Sequence, residues 1–329
     1  MYPRAVPRSE GLTITAGDIQ LAATLVLPDV GVTDASGRHP NVLLLPSWLP
    51  RGRDGDYDTS RHPGWFARRP AGLQPGMLAR LAGALAEVGV ASLRADPRGC
   101  GASDGAWEEA TLFARIDDAR DLLAAMRARP DLDLRRAGIL GHGEGAGIAL
   151  SVAIADPAVS ALTLIGASAR SWRDTLRRAA SARARTGEEH QHPIVAAIDR
   201  WSEELIERAQ RREERLTLPL RGGGTATLGL APIEQAIHTP PLALATMLHR
   251  SVTLVHGGSD SWSDPDEMAL LAAALTDAGN DPGTRLLPRV GHDLAEASDA
   301  VIGELAADLA SRLVPRELPP VLLAIEEMG

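Results

Sequence analysis

The chain has 329 residues, 44% of them hydrophobic and 23% charged, an ordinary globular composition at a length that buries a large core. It contains no lysine, so all 34 basic residues are arginine, which excludes a P-loop lysine, a kinase strand lysine and a pyridoxal Schiff base. The single cysteine, Cys100, excludes an intramolecular disulfide and cysteine-built zinc or iron–sulfur sites, and a net charge of −9 argues against nucleic acid or an anionic membrane surface as partner.

The first 18 residues have no apolar run after a basic stretch, and no run of about 18 apolar residues occurs anywhere. A cytoplasmic protein without membrane partners is expected. Strand-like runs at 19–27, 42–45, 90–93, 137–140, 161–165, 252–255 and 285–287 alternate with helical patterns at 73–88, 116–126, 145–155 and 297–313. Such alternation predicts an α/β fold with a doubly wound, mostly parallel sheet. Between residues 165 and 251 the chain is far longer than one crossover needs. It reads as a helical lid over 169–249, with helices at 172–185 and 194–216 and a flexible Gly222–Gly224 stretch as a hinge. Residues 1–168 and 250–314 form the core, and 315–329 a tail that packs on the body or on a second subunit of a homodimer.

The strongest local signal is Ile139-Leu140-Gly141-His142-Gly143-Glu144-Gly145, a strand entering a tight glycine turn before a small-residue helix. Downstream, Leu254-Val255-His256-Gly257-Gly258-Ser259-Asp260 is a strand followed by a loop acid. Leu286-Leu287-Pro288-Arg289-Val290-Gly291-His292 is a strand followed by a loop histidine. Upstream lie Asp96-Pro97-Arg98-Gly99-Cys100-Gly101-Ala102-Ser103 and Arg53-Asp54-Gly55-Asp56.

In order and spacing, these motifs resemble the α/β-hydrolase superfamily, its serine esterase and peptidase branch, across almost the whole chain. The resemblance implies a nucleophile elbow, Gly-x-Ser-x-Gly, at 141–145, with Asp260 and His292 as triad partners. The nucleophile position holds Gly143, and Pro46-Ser47-Trp48-Leu49-Pro50 stands where the family carries His-Gly-Ser-Gly-Pro. By that frame the backbone oxyanion donors are Trp48 and Glu144.

Other readings of these residues are weaker. Gly141 to Ala146 also fits a dinucleotide fingerprint, but the next strand ends without the acid that motif needs. Ser47 and Cys100 are substitute nucleophiles on paper, neither placed by its sequence on a strained turn. Glu144 offers a carboxylate as well as an N–H. Glu188-Glu189-His190-Gln191-His192 resembles a metal cluster but reads as a solvated loop, so no metal and no cofactor is expected.

With no hydroxyl at 143, acyl-enzyme chemistry by the usual route is closed. The expectation is a non-hydrolytic enzyme in which His292 and Asp260 act as general base and acid on a hydrophobic, carbonyl- or phenol-bearing small molecule. Elimination, cyclisation or carbon–carbon bond formation would follow. The resemblance further implies bacterial natural-product biosynthesis. The pocket is expected to include Ser47, Trp48, His142, Trp172 and Trp201. The alternatives are an ester or thioester hydrolase, through an introduced Gly143 or water activated by His292, and a catalytically dead binding protein.

Overall fold

The computed structural model describes residues 7–29, 37–186 and 191–315. In chain order these form β1 (Arg8–Ala16), β2 (Ile19–Leu27), β3 (His39–Leu45), α1 (Met77–Glu87), β4 (Ala91–Ala95), α2 (Leu112–Arg127), β5 (Leu132–His142), α3 (Glu144–Ala155) and β6 (Val159–Ile165). Next come α4 (Trp172–Thr186), α5 (Pro193–Arg200), α6 (Ser202–Gln210), β7 (Arg215–Pro219), β8 (Thr225–Gly229), α7 (Ala231–His238) and α8 (Pro241–Ala245). The chain then returns through β9 (Ser251–Gly257), α9 (Asp266–Asp277), β10 (Gly283–Leu287) and α10 (Asp299–Arg312).

Eight strands make one sheet in the order β1-β2-β4-β3-β5-β6-β9-β10. β2 runs antiparallel to β1 and β4, and every pairing from β4 to β10 is parallel. Strands buried on both faces read as continuous apolar runs, which is why Val42–Leu45 and Ala161–Ile165 show no alternation. One face is covered by α1 and α10 through Leu78, Leu81, Ile302 and Leu309. The other is covered by α2, α3 and α9 through Ile116, Leu123, Ile148 and Leu275. The doubly wound sheet expected from the alternation is thus present.

Three local expectations need correction. Residues 194–216 are two helices and the start of a strand: the chain breaks at Trp201, whose φ of −110° and ψ of 17° end one helix before the next begins. Amphipathic spacing continues through the break, so periodicity alone misses it. Gly222–Gly224 is no hinge. All three have positive φ, and they close the β7–β8 hairpin, where the Leu220 N–H donates to the Gly224 carbonyl. The first strand, β1, was not expected, although inward Leu12, Ile14 and Ala16 alternate in it with exposed Thr13 and Thr15. Most of the tail, 316–329, lies outside the described residues. No helix among those described is long and apolar enough to cross a membrane.

The C-terminal ends of β3, β5, β9 and β10 lie along one edge of the sheet. The segment between β6 and β9 shares an apolar core there with residues following β3, including Trp48, Trp65, Leu176, Ile198 and Leu205. Close packing at that edge depends on glycines. A Cβ at Gly145 would lie 2.6 Å from the carbonyl oxygens of both Leu45 and Pro46. Gly145→Ala is therefore expected to destabilise the protein by about 1–3 kcal/mol, read as a lowered thermal midpoint. An unchanged midpoint would show that the end of β3 and the start of α3 separate freely.

Candidate active site

Four loops at this edge supply the site. Gly143 joins β5 to α3 with φ 55° and ψ −115°, the sharp left-handed turn of a nucleophile elbow. Its N–H donates to the Ile165 carbonyl at 2.9 Å. Flanking positions must be glycine, since a Cβ at Gly141 would fall 2.5 Å from the carbonyl carbon of Gly145. His292 follows β10 and Asp260 follows β9, and their side chains meet at Nδ1···Oδ2, 2.8 Å. The other carboxylate oxygen of Asp260 accepts from the N–H groups of Trp262 (2.7 Å) and Ser263 (3.0 Å). With its carboxylate fully buried and so held, Asp260 fixes the imidazole with Nε2 turned toward Gly143.

The space above Gly143 is not empty. A Cβ built there would overlap Ser47 Oγ and would lie 2.8 Å from Ser47 Cβ and 3.1 Å from His292 Nε2. Ser47 Oγ itself is 3.3 Å from His292 Nε2. Ser47, Oγ first, therefore fills the volume of the missing elbow side chain, within hydrogen-bond reach of the histidine. Sequence reasoning weighed Ser47 only as a substitute on an unstrained segment. Two residues further on, Leu49 adopts a positive φ of 32°, so the turn that presents Ser47 does carry strain. The legible signal was the coincidence of a lost elbow hydroxyl and a hydroxyl in the stretch that faces the elbow.

The N–H groups of Trp48 and Glu144 have no hydrogen-bond partner among the described residues, and Glu144 begins α3, where the helix dipole favours a negative charge. The Glu144 carboxylate is not available as a catalyst: it is buried in an ion pair with Arg115 at 2.6 Å.

A pocket opens over Ser47, Gly143 and His292. Trp48, Trp172, Trp262, Leu176 and Leu244 give it an apolar wall, and Trp48 meets Trp172 edge-on at 4.2 Å. Two expected pocket residues are elsewhere. Trp201, partly buried, packs against the apolar core that the lid shares with the residues after β3 and does not line the pocket. His142 is fully buried behind the histidine: its Nε2 donates to the His292 carbonyl at 3.0 Å and the two rings lie 4.4 Å apart. Of the suspected metal cluster, residues 188–190 lie outside those described, and His192 accepts a hydrogen bond from the Ala67 N–H.

Sequence reasoning passed over a second acid, Asp293, directly after the histidine. Asp293 pairs with Arg51 at 2.9 Å, and Arg51, stacked 4.0 Å over the Tyr57 ring, donates to the Gly55 carbonyl. The pair ties the loop carrying Ser47 to the loop carrying His292. Burial alone would raise the Asp293 carboxyl, but Arg51, His142 and His292 hold it well below its ordinary range. Burial likewise pushes His142 well down, helped by positive charge at His292 and Arg51, so it stays neutral. For His292 burial pulls downward too, yet the Asp260 carboxylate outweighs it, with Asp293 adding to the rise, and the imidazole is raised above 6.5.

A raised folded-state value means this pair stabilises the fold fully below 6.5, and the contribution is lost as pH climbs through the folded value. Nitrogen NMR of labelled histidines should show His292 titrating above 6.5, and lower in Asp260→Asn, where only Asp293 still opposes burial. A titration unmoved by the substitution would mean that Asp260 does not bear on the ring.

No curated protein matches the sequence. Among solved structures, the chain is similar in fold to Est1E from Butyrivibrio proteoclasticus with bound ferulic acid (TM-score 0.62, 16% identity, covering 92% of this chain and 99% of that one). It is also similar to the Pyrococcus horikoshii acylaminoacyl peptidase (TM-score 0.63, 13% identity, 98% and 44%) and to a Mycobacterium tuberculosis puromycin-hydrolyzing peptidase (TM-score 0.61, 18% identity, 95% and 41%). Likenesses at this identity establish the α/β-hydrolase fold. The serine aminopeptidase family S33 matches over residues 74–296, which takes in the elbow, Asp260 and His292, and the chain belongs to that family.

Proposed function

We propose that this protein is a serine hydrolase whose nucleophile is Ser47, acting on an ester or thioester with a hydrophobic acyl group. The observation that carries the reading is the position of Ser47 Oγ in the volume vacated at Gly143, 3.3 Å from a histidine that is itself 2.8 Å from a buried carboxylate. Chemistry depends on where the hydroxyl stands, not on which strand delivers it. His292 Nε2 takes the Ser47 proton as Oγ attacks the carbonyl carbon, and Asp260 stabilises the imidazolium that forms. Collapse of the tetrahedral adduct passes the proton to the leaving group and leaves an acyl-Ser47 ester, which water hydrolyses with the same base. The N–H groups of Trp48 and Glu144 face the oxyanion. They exchange roles relative to an ordinary elbow: Trp48 becomes the residue after the nucleophile, and Glu144 the donor from the facing segment. The tryptophan-lined wall suits a flat or bulky acyl group, and the esterase and peptidase neighbours are consistent with acyl chemistry.

A fluorophosphonate probe is expected to label the wild-type chain on Ser47, identified by peptide mapping, with labelling abolished in Ser47→Ala and in His292→Ala. A folded wild-type protein that resists the probe, or is labelled elsewhere, overturns the proposal.

A second reading keeps the His292–Asp260 pair and makes the reaction a proton abstraction with no acyl-enzyme, in a biosynthetic setting. It is favoured by the 3.3 Å separation, long for a hydroxyl poised to give up its proton. In that case Ser47→Ala keeps the native turnover.

Gly143→Ser separates the triad arrangement from an ordinary elbow. Alone it sets a serine against Ser47 and is expected to lower both probe labelling and the thermal midpoint, by about 1–3 kcal/mol of overpacking. Combined with Ser47→Gly it returns the hydroxyl to the elbow, and labelling should reappear at position 143. Labelling unchanged in the single variant would mean that Ser47 does not occupy this space.

A further inference from the structure

Behind the Ser47 loop three buried side chains converge that the proposed reaction does not use. Asp58 and His62 lie between β3 and α1, and Cys100 in the loop after β4. A carboxylate oxygen, a ring nitrogen and the sulfur lie within 4.8 Å of one another. His62 Nε2 is buried and has no hydrogen-bond partner among the described residues, in a side chain only 9% exposed. A buried nitrogen left unsatisfied is costly and calls for a partner. We propose that Asp58, His62 and Cys100 bind a divalent transition metal, zinc in the first instance, as a structural site that braces the loop presenting Ser47.

The chemistry of the three groups suits such an ion. Thiolate, imidazole and carboxylate are the donor types zinc takes. Tetrahedral zinc places its donors about 3.5 Å apart, so each needs to close by less than about 1 Å. Burial pushes the Cys100 thiol up to about 12, so without a cation it stays neutral; a divalent ion bound by one thiolate and one carboxylate leaves the pocket without net charge. Asp58 is already ionised: burial would raise it, but hydrogen bonds from the Ser60 hydroxyl and from the N–H groups of Gly101, Arg61 and Ser60 hold it down. Its carboxylate is thereby oriented by the surrounding backbone, as metal-ligating carboxylates are. His62 is fixed from the side by Trp65 and Trp107, with ring centroids 4.8 and 6.1 Å away. The nearby cations are engaged elsewhere, Arg61 with the Ser103 and Gly105 carbonyls and Arg115 with Glu144.

The site also reaches the catalytic loop. The Asp58 N–H donates to the Pro50 carbonyl at 2.9 Å. That carbonyl lies three residues from Ser47. The single cysteine had excluded cysteine-built zinc sites on composition alone; the proposal corrects that exclusion, because one thiolate suffices where Asp58 and His62 from another loop supply the other donors.

The test is titration of the chelator-treated full-length chain with cobalt(II) alone. Cys100 is the chain's single cysteine, so a thiolate-to-cobalt charge-transfer band can have no other source. One equivalent is expected to bind with that band and with tetrahedral visible absorption, both displaced by zinc, and zinc should raise the thermal midpoint. Cys100→Ser should lose the band while keeping its circular dichroism, and His62→Gln should weaken binding at least about tenfold. A folded wild-type chain that shows no band overturns the proposal. So does a band with unchanged affinity in His62→Gln, which would reveal a metal held by the thiol alone. Asp58→Asn repeats the test from a third ligand, and unchanged affinity in that variant would likewise remove Asp58 from the site.

Discussion

The structure turns on one close approach, that of the end of β3 to the turn between β5 and α3. Backbone carbonyls of Leu45 and Pro46 press against Gly145 with no room for a side chain. In an ordinary elbow the same approach brings the oxyanion loop within reach of the nucleophile. Here it brings Ser47 itself onto the nucleophile's place, because Gly143 leaves that place open. The absent side chain and the intruding one are complementary: each alone would leave either a void or an overlap.

Electrostatics then hold the parts in register. Asp260 is committed through both oxygens, one to His292 and the other to two backbone N–H groups, so the imidazole has a single orientation. Arg51, itself buried, pairs with the partly exposed Asp293 between the Ser47 and His292 loops. Removing Asp293 would leave the buried guanidinium uncompensated. The pair therefore resists separation of the two loops more than its net contribution to stability suggests. His142, neutral and hydrogen-bonded to the His292 carbonyl, backs the catalytic ring from the side away from the pocket.

Much of the fold was legible because it rests on periodicity and punctuation. Buried parallel strands are short apolar runs ended by Pro46, Gly141 or Gly257, and the motifs after β5, β9 and β10 fix their order. What escaped lacked such a signal. The break at Trp201 leaves the amphipathic spacing intact. Asp260 and His292 were readable since each directly follows a strand in family order. The role of Ser47 was not, since it depends on a distance between two loops about a hundred residues apart in sequence. His142 and Trp201 were misplaced for a related reason: an aromatic ring near a site in sequence can face the core as easily as the pocket, and only packing decides.

For the proposed Ser47 reaction, the two backbone donors explain how a serine on the loop after β3 could use the rest of the machinery. In an elbow hydrolase one oxyanion N–H belongs to the residue after the nucleophile and the other to the facing loop. The pair is nearly symmetric about the reacting carbon. Moving the hydroxyl from one segment to the other exchanges the labels of the donors but leaves an N–H on each side, here at Trp48 and Glu144. The histidine moves little, because Ser47 Oγ enters the space in which the elbow Oγ would stand. What the exchange does alter is the wall of the pocket. The residue after the nucleophile is now an indole, packed edge-on against Trp172, where the elbow's successor would have turned into a helix. Acyl groups that reach Ser47 must pass that indole. For the proposed Ser47 reaction, selection among acyl groups would therefore fall to Trp48 and to Trp172, the lid residue it meets edge-on.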